Sequence, residues 1–307
     1  MSKVMITGLV NIETTMKVDG FPIPYYSMGY PIFGIDSSVS GVGFNITKAL
    51  HTLGDEVLFM SLIGDDEEGH RIKREVRQLG VDASYIRKEL AKTPQSVILY
   101  ELSGRRQGHC DLKDIQEHSY PMELIEKNLK KCQVLCACNI NFSRPLLKMA
   151  KEKEIVIATD VHVLEQIEDV YNREFMEFAD IIFLSDEKIP YSPVEFILRL
   201  KNEYPCQIVV MGLGKDGAML YTRTENVIYK VDAITVRSVV NTVGAGDALF
   251  SAFIHYYCKG MIPLEALKYA QCFASYKIGE TGAANGFLSE SMVEEIYSKC
   301  IFNIHKL

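Results

Sequence analysis

Short runs of β-branched and other apolar residues alternate along the chain with longer stretches in which apolar positions recur every three or four residues. The short runs predict strands, and the longer stretches predict amphipathic helices. The predicted strands cover residues 4–10, 57–63, 97–101, 134–138, 155–159, 181–184, 208–211 and 218–221. Helix-length stretches lie between many of them, for example at 44–53, 69–79, 143–151 and 248–257.

This alternation is typical of βαβ units, so we expect an α/β fold with a central, mainly parallel sheet covered by helices on both faces. We find no linker or repeat and therefore expect one domain over residues 1–307. In such sheets ligands bind at the carboxyl ends of the strands. The loops that follow the strands are accordingly where chemistry should be sought.

Two segments interrupt the alternation. Residues 17–36 contain three prolines, three tyrosines and two phenylalanines without helical spacing, and residues 97–109 alternate around a glycine turn. We expect them to form a small β-sheet lid, with lid segments at about 13–36 and 97–109, although two decorated surface loops would give a similar pattern. The aromatic residues between 21 and 33 would then cover a ligand or form a homodimer contact.

Composition and charge narrow the class of protein. The 307 residues are 48% hydrophobic and 24% charged, as in ordinary globular proteins, and the net charge of −7 with no long basic run argues against a nucleic-acid partner. No apolar run approaches the roughly 18 residues of a membrane span, and the N-terminal run is too short for a signal peptide. We therefore expect a cytoplasmic protein. Cys132, Cys136 and Cys138 lie in a strand-like stretch, which favours buried thiols over a metal site.

The sharpest local feature is the turn Gly244-Ala245-Gly246-Asp247, which opens directly into the apolar run 248–254. Backbone amides at a helix N-terminus lack intrahelical partners, and the helix dipole adds positive potential, so such a turn can hold phosphate oxygens. An Asp in the same turn can take a proton from an attacking hydroxyl. The alternative is that Asp247 is an ordinary acidic residue in the first turn of a helix.

Four motifs resemble those of one family. The segment 241–247 (NTVGAGD) resembles the Asp-Thr-x-Gly-Ala-Gly-Asp motif of the ribokinase family, also called phosphofructokinase B carbohydrate kinases. Upstream, 40–46 (SGVGFNI) resembles the Gly-Gly-x-x-x-Asn motif, and 61–69 (SLIGDDEEG) is similar to Val-Gly-x-Asp-x-x-Gly. The segment 212–218 (GLGKDGA) resembles the Thr-Leu-Gly-x-x-Gly nucleotide loop. The matches keep the family's order and cover nearly the whole chain.

The resemblance implies a ribokinase-like fold and transfer of the γ-phosphoryl group of ATP to a hydroxyl or hydroxymethyl group of a sugar or sugar-like molecule. It implies that Asp247 is the catalytic base and that Gly244, Ala245 and Gly246 form the anion hole. The substrate would lie between the lid and the main sheet, where closure expels water.

The resemblance also implies substrate-binding positions. Asn11 and Glu13 fall where related enzymes place an Asn and an Asp at the sugar site, and Gly41, Gly43 and Asn45 should approach the same ligand. A Glu carboxylate suits a polyol because it can accept two hydrogen bonds from neighbouring hydroxyls. The alternatives are a solvated loop carboxylate for Glu13 and a helix cap for Asn45.

For the nucleotide, the resemblance implies Gly212, Gly214 and Gly217 around ATP, the alternative being a plain hairpin turn. The family's Asn-x-x-Glu motif, tied to Mg²⁺, is poorly kept, and Asp186 or Glu187 is the nearest candidate ligand, unless the two are simply acidic residues at a helix start. Asn241 replaces an Asp that the family associates with a monovalent cation, and this exchange argues against a potassium site.

Two other functions stay open from the sequence. A nucleoside acceptor, of the pseudouridine or adenosine type, is compatible with segments 41–46 and 137–140. A non-catalytic ligand-binding regulator is suggested solely by the altered Asn-x-x-Glu region, and the intact turn at 244–247 argues against it. The chain has no Gly-x-x-x-x-Gly-Lys-Ser/Thr run, so it is not a P-loop enzyme.

Overall fold

Fourteen strands form two separate sheets in this computed structural model, which describes residues 3–101 and 105–307. Their bounds in chain order are β1 Lys3–Thr7, β2 Asn11–Lys17, β3 Ile35–Ser40, β4 Glu56–Gly64, β5 Ile86–Leu90, β6 Gln95–Tyr100, β7 Arg106–Asp111, β8 Val134–Ala137, β9 Val156–Val163, β10 Ile181–Ser185, β11 Ile208–Gly212, β12 Ala218–Thr222, β13 Val227–Val231 and β14 Ile304–Lys306.

The larger sheet has ten strands in the order β14-β13-β12-β11-β10-β9-β8-β1-β4-β5. Seven adjacent strands, β11-β10-β9-β8-β1-β4-β5, are parallel to one another, whereas β12, β13 and β14 at the other edge pair antiparallel. Because the carboxyl ends of parallel strands meet at one edge, the loops after β1, β9, β10 and β11 lie along the same side of the molecule.

Nine α-helices lie in the described residues. Their bounds are α1 Val42–Leu53, α2 Glu67–Gln78, α3 Met122–Leu129, α4 Arg144–Glu152, α5 Arg173–Phe178, α6 Pro193–Glu203, α7 Ala245–Cys258, α8 Pro263–Lys277 and α9 Glu290–Tyr297. Helices α1, α2, α7, α8 and α9 share one apolar core, and α3 to α6 share a second.

The two cores lie on opposite faces of the large sheet, as the alternation within β1 shows. Val4 and Ile6 pack into the core that contains α1 and α7, whereas Met5 between them packs into the core that contains α4 and α5. Successive side chains of a strand point to opposite faces, so both faces of this strand must be apolar. The α/β fold with a helix-covered, mainly parallel sheet is confirmed.

The smaller sheet has the order β3-β2-β6-β7. Strand β2 pairs antiparallel with β3 and parallel with β6, and β6 pairs antiparallel with β7. The sheet therefore combines the two segments predicted to form a lid, although residues 102–104 of the second segment lie outside the described residues.

The first predicted lid segment differs from expectation in its middle. Strand pairing involves its ends, in β2 and β3, whereas residues 18–34 form an irregular connection. Pro22, Pro24 and Pro31 lie in this connection, and proline has no backbone N–H with which to join a ladder. The connection leaves Tyr25 and Phe33 largely exposed to solvent.

Candidate active site

The turn before α7 is shaped by Gly244. This residue has a φ of 76°, and a Cβ atom built on it would lie 2.4 Å from the carbonyl oxygen of Ala283. Both the left-handed backbone and the contact with the facing loop therefore require glycine. The amide of Ala245 donates to the carbonyl of Thr242 at 3.2 Å, whereas the first-turn amides of Gly246 and Asp247 have no backbone partner among the described residues.

Asp247 is the third residue of α7, and only 9% of its surface is exposed. Its Oδ2 accepts a hydrogen bond of 2.7 Å from the side-chain amide of Asn45 in α1. Burial raises the pKa of the Asp247 carboxyl above its ordinary range, while the Asn45 hydrogen bond and the positive charge of Lys277 act in the opposite direction. Asp247 is thus a buried, partnered carboxyl rather than a solvated residue at a helix start.

Three side chains connect Asp247 to the small sheet. Ser40, the last residue of β3, has its hydroxyl 3.2 Å from Glu13 Oε2 and 3.4 Å from Asn45 Oδ1. Asn45 lies inside α1, and its backbone amide donates the first hydrogen bond of the helix to the carbonyl of Gly41. The residue at the cap position is therefore Gly41, and the Asn45 side chain does not cap the helix. The cap interpretation of Asn45 is wrong, and the side chain instead orients Asp247.

Glu13 lies in β2 with 6% of its surface exposed, so it is not a solvated loop carboxylate. Burial raises the pKa of the Glu13 carboxyl, and its hydrogen bond with Ser40 offsets part of that rise. Glu13 Oε1 and Asn11 Oδ1 are buried oxygens with no hydrogen-bond partner in the described part of the chain. Residues 11 and 13 share one face of the strand, so these acceptors can receive hydrogen bonds from one ligand.

The glycines at the start of α1 allow close packing. A Cβ on Gly43 would lie 2.7 Å from the backbone of Gly8, and one on Gly41 would lie 2.7 Å from the carbonyl oxygen of Leu9. The start of α1 therefore rests against the loop that follows β1. This contact brings Asn45 next to the β1–β2 connection, where Asn11 begins the small sheet.

The predicted nucleotide residues lie in one loop. Gly212 ends β11, Gly214 begins a short turn of 3₁₀ helix, and Gly217 directly follows that turn before β12. Strands β11 and β12 are antiparallel, so the connection is a hairpin as well as a candidate nucleotide loop. The amide of Asp186, just after β10, donates to the carbonyl of Gly212 at 3.0 Å, which places the candidate Mg²⁺ residues beside this loop.

The carboxyl of Asp186 is partly buried, and burial raises its pKa, with further contributions from Glu187 and Asp216. These carboxylates suit a hard cation that prefers oxygen ligands. Within residues 3–101 and 105–307, no cluster of three or more His, Cys, Asp or Glu side chains is arranged to hold a metal ion by itself. A Mg²⁺ ion here would consequently need oxygens from phosphate or water.

Three further charged side chains near the turn were not singled out from the sequence. Asp160 ends up beside the turn, with its Oδ2 4.0 Å from the position of a Cβ on Gly246. Arg106 of β7 donates to the Thr242 hydroxyl at 3.2 Å, which links the small sheet to the turn. Lys277 of α8 is fully buried and donates to the carbonyls of Val243 and Gly282. Asp160 directly follows a predicted strand, so a search of strand ends would have found it.

Helices long and apolar enough to cross a bilayer do not occur in the described parts of the chain. Cys132, Cys136 and Cys138 are buried, as their apolar surroundings predicted.

Comparison with known proteins identifies relatives over most of the chain. The chain is 25% identical over 277 residues to an acarbose 7(IV)-phosphotransferase of Actinoplanes sp., covering 89% of this chain and 91% of the relative. It is 22% identical over 306 residues to a deoxyribokinase of Salmonella typhi, covering 96% and 98% of the two chains.

Solved structures show the same fold. A microbiome-derived acarbose kinase matches with a TM-score of 0.87 at 21% identity, covering 97% of this chain and 99% of the other. A ribokinase from Giardia lamblia matches with a TM-score of 0.83 at 17% identity and the same coverage. The model of the family described as "pfkB family carbohydrate kinase" matches residues 1–290 of the chain. The chain therefore belongs to the pfkB family of carbohydrate kinases.

Proposed function

We propose that this carbohydrate kinase transfers the γ-phosphoryl group of ATP to a hydroxyl or hydroxymethyl group of a sugar or sugar-like molecule, with Asp247 as general base. The observation that carries the proposal is the path of side chains from Asp247 through Asn45 and Ser40 to Glu13. It joins a buried base at a helix N-terminus to buried, unpartnered oxygens suited to a polyol.

In the reaction, an acceptor hydroxyl lies between Asp247 and the start of α7. Its oxygen forms the new bond to the γ-phosphorus, its proton passes to the Asp247 carboxylate, and the bond from the γ-phosphorus to the bridging oxygen breaks to release ADP. Asn45 favours the ionised carboxylate that this step requires, because its amide donates to Asp247 Oδ2.

The amides of Gly246 and Asp247 would stabilise the charge that develops on the transferring group. Arg106 lies at the same turn, where its guanidinium contacts Thr242, and is exposed on the side of the small sheet. A planar guanidinium is well suited to phosphate oxygens. We therefore include Arg106 among the residues that position the donor.

The hairpin loop with Gly212, Gly214 and Gly217 would hold the nucleotide, and Asp186 and Glu187 beside it would hold Mg²⁺ through water. When bound, Mg²⁺ neutralises phosphate charge and so assists phosphoryl transfer. The acceptor would be held by Asn11 and Glu13, with Gly41 and Gly43 allowing the approach of α1 to the ligand.

The small sheet would act as a lid over the acceptor, because β2 carries both acceptor residues and β7 carries Arg106. The exposed aromatic residues of the 18–34 connection, including Tyr25 and Phe33, also suit a homodimer contact between lids. One domain over residues 1–307 and a cytoplasmic location complete the proposal.

A screen for phosphorylation tests the function. Purified protein would be incubated with Mg²⁺-ATP and a panel of pentoses, hexoses, oligosaccharides including acarbose, sugar acids and nucleosides, and phosphorylated products would be detected by mass spectrometry. We expect a sugar or sugar-like acceptor, and Asp247→Asn should reduce turnover about 10²-fold or more while retaining the fold.

Phosphorylation confined to nucleosides would assign the protein to the nucleoside alternative. Turnover that survives Asp247→Asn would exclude this residue as the base. Circular dichroism of both proteins serves as the control for folding.

A further inference from the structure

Lys277 is a charged side chain in an apolar environment. It is the last residue of α8 and has 0% of its surface exposed. Its ammonium donates to the carbonyl oxygen of Gly282 at 2.8 Å and to that of Val243. A lysine at the end of a helix ordinarily extends its ammonium into water, so both the burial and the two carbonyl partners need an explanation.

Burial of this ammonium is energetically unfavourable. It lowers the pKa of Lys277 to about 8, against the opposing influence of the Asp247 and Glu13 carboxyls. A charged group withdrawn from water destabilises a fold unless its partners compensate, and here the direct partners are two neutral carbonyls. Its position next to the proposed base therefore points to a role in the site rather than in stability.

The two carbonyls belong to loops that meet at the anion hole. Val243 directly precedes Gly244, and Gly282 directly precedes Ala283, whose carbonyl faces Gly244 so closely that a Cβ there would lie at 2.4 Å. One ammonium thus holds both loops on either side of this contact. The direction of the first amides of α7 depends on the same contact, because Gly244 is the residue directly before the helix.

The neighbouring residues do not fit a bound monovalent cation. Position 241, where the family motif has a cation-associated Asp, carries Asn241, an uncharged side chain whose Oδ1 accepts from the amide of Val243 at 2.8 Å. The carbonyls of Val243 and Gly282, which are oxygen ligands of the kind that potassium prefers, already accept from Lys277. Position 241 thus lacks the carboxylate that would attract a cation, and the Lys277 ammonium already occupies the two carbonyls.

We propose that Lys277 is a positioning residue whose ammonium replaces a bound monovalent cation beneath the anion hole, holding the turn before α7 against the 282–283 loop. The inference rests on the proposed role of that turn in phosphoryl transfer. If Lys277 takes the place of the cation, the enzyme should need neither potassium nor sodium ions for turnover.

The first test uses the wild-type protein and does not need the acceptor. Crystals equilibrated in rubidium chloride would be examined by anomalous diffraction, with rubidium as the probe for a monovalent-cation site. We expect no rubidium at the carbonyls of Val243 and Gly282. Rubidium bound to these two oxygens in the wild type would overturn the proposal, whether or not the phosphorylation assay has succeeded.

The second test uses Lys277→Ala. We expect kcat to fall about 10²-fold, the scale for a loss of organised anion-hole donors, with little change in the KM for ATP. Methylammonium chloride should restore part of kcat because it supplies the missing ammonium, whereas tetramethylammonium chloride at the same ionic strength should not. Wild-type turnover should be equal in potassium, sodium and tetramethylammonium salts.

Lys259→Ala is the matched control, because it removes a lysine from the exposed end of α7, where Lys259 pairs with Glu290. Its kcat should be unchanged. A folded Lys277→Ala protein with full kcat, or with a low kcat that methylammonium leaves unchanged, would contradict the proposal. If this variant does not fold, potassium stimulation of the wild type decides: a clear increase over tetramethylammonium would contradict it equally.

Discussion

The side-chain amide of Asn45 donates a hydrogen bond of 2.7 Å to Asp247 across 202 positions of the chain. The contact joins the first turn of α1 to the first turn of α7, the two helices that meet beneath the small sheet. It favours the ionised form of a carboxyl whose pKa burial raises. The state of the proposed base is thus set by a residue from the other end of the sequence.

Asn45→Ala should shift the pH profile of the enzyme. Loss of the amide donor raises the pKa of Asp247 further, and a general base works only when it is deprotonated. The acidic limb of kcat/KM should consequently move to higher pH, with a greater loss of activity in mild acid than in mild alkali. Thr52→Ala, farther along α1, should leave the limb in place. An acidic limb at the same pH in Asn45→Ala would exclude the proposed coupling.

The alkaline limb should depend on Lys277. Its pKa of about 8 means that the ammonium loses its proton as pH rises through this range, and the loops lose a positive charge that also faces Asp247, Glu13, Arg106 and Arg237. Wild-type kcat should therefore fall above about pH 8. In Lys277→Ala the residual kcat should lack this fall, and persistence of the limb would assign it to another group.

Glu13→Ala should weaken the binding of the acceptor. The Glu13 carboxylate is proposed to accept hydrogen bonds from acceptor hydroxyls, so the KM for the sugar should rise far more than the KM for ATP. Asp36→Ala, which removes an exposed carboxylate from β3 of the same sheet, is the control and should change neither constant. Weaker ATP binding with an unchanged acceptor KM would reverse the placement of the two substrates.

Hydrogen exchange should distinguish a lid from a subunit contact in residues 21–33. If the small sheet closes over the acceptor, amide exchange in this segment should slow when a saturating acceptor is added. If the exposed aromatic residues mainly form a dimer interface, exchange should instead change with protein concentration. A segment that does not respond to a confirmed acceptor would exclude the lid assignment without affecting Asp247.

Asp55→Ala should reduce stability without altering the site. Asp55 and His255 are both buried, and Asp55 Oδ2 lies 2.7 Å from His255 Nδ1 in α7. Removing one member of a buried hydrogen-bonded pair leaves the other without its partner, which should lower the free energy of unfolding by about 3 kcal/mol. Asp65→Ala, which breaks an exposed pair with Lys88, should lower the free energy of unfolding far less in the same denaturation experiment, because water screens exposed ion pairs.

Much of the fold follows from local patterns in the sequence. The apolar runs at 181–184 and 208–211 are too short for helices, and they form strands β10 and β11 almost at the predicted bounds. The turn at 244–247 also opens a helix as predicted. These features are readable because apolar spacing and turn residues act within a few positions of each other.

The contacts that complete the site, in contrast, depend on tertiary packing and not on local sequence. Ser40 is an ordinary polar residue at a strand end, and its connection to Glu13 and Asn45 arises from the way α1 packs on the small sheet. Lys277 has the sequence signature of a basic residue complementing a helix dipole. Its burial depends on loops that converge only in the tertiary structure, so no local pattern indicates it.

The long separation between Asn45 and Asp247 also has a consequence for synthesis. A nascent chain that has reached α6 already contains Asn11, Glu13 and Asn45, but it lacks the proposed base Asp247, the helix α7 that carries it, and Lys277. Such a chain holds part of the proposed acceptor site and none of the proposed machinery for phosphoryl transfer. With Asp247 as the proposed base, we expect translation products that end before α7 to carry no kinase activity, whatever part of the sheet they have formed.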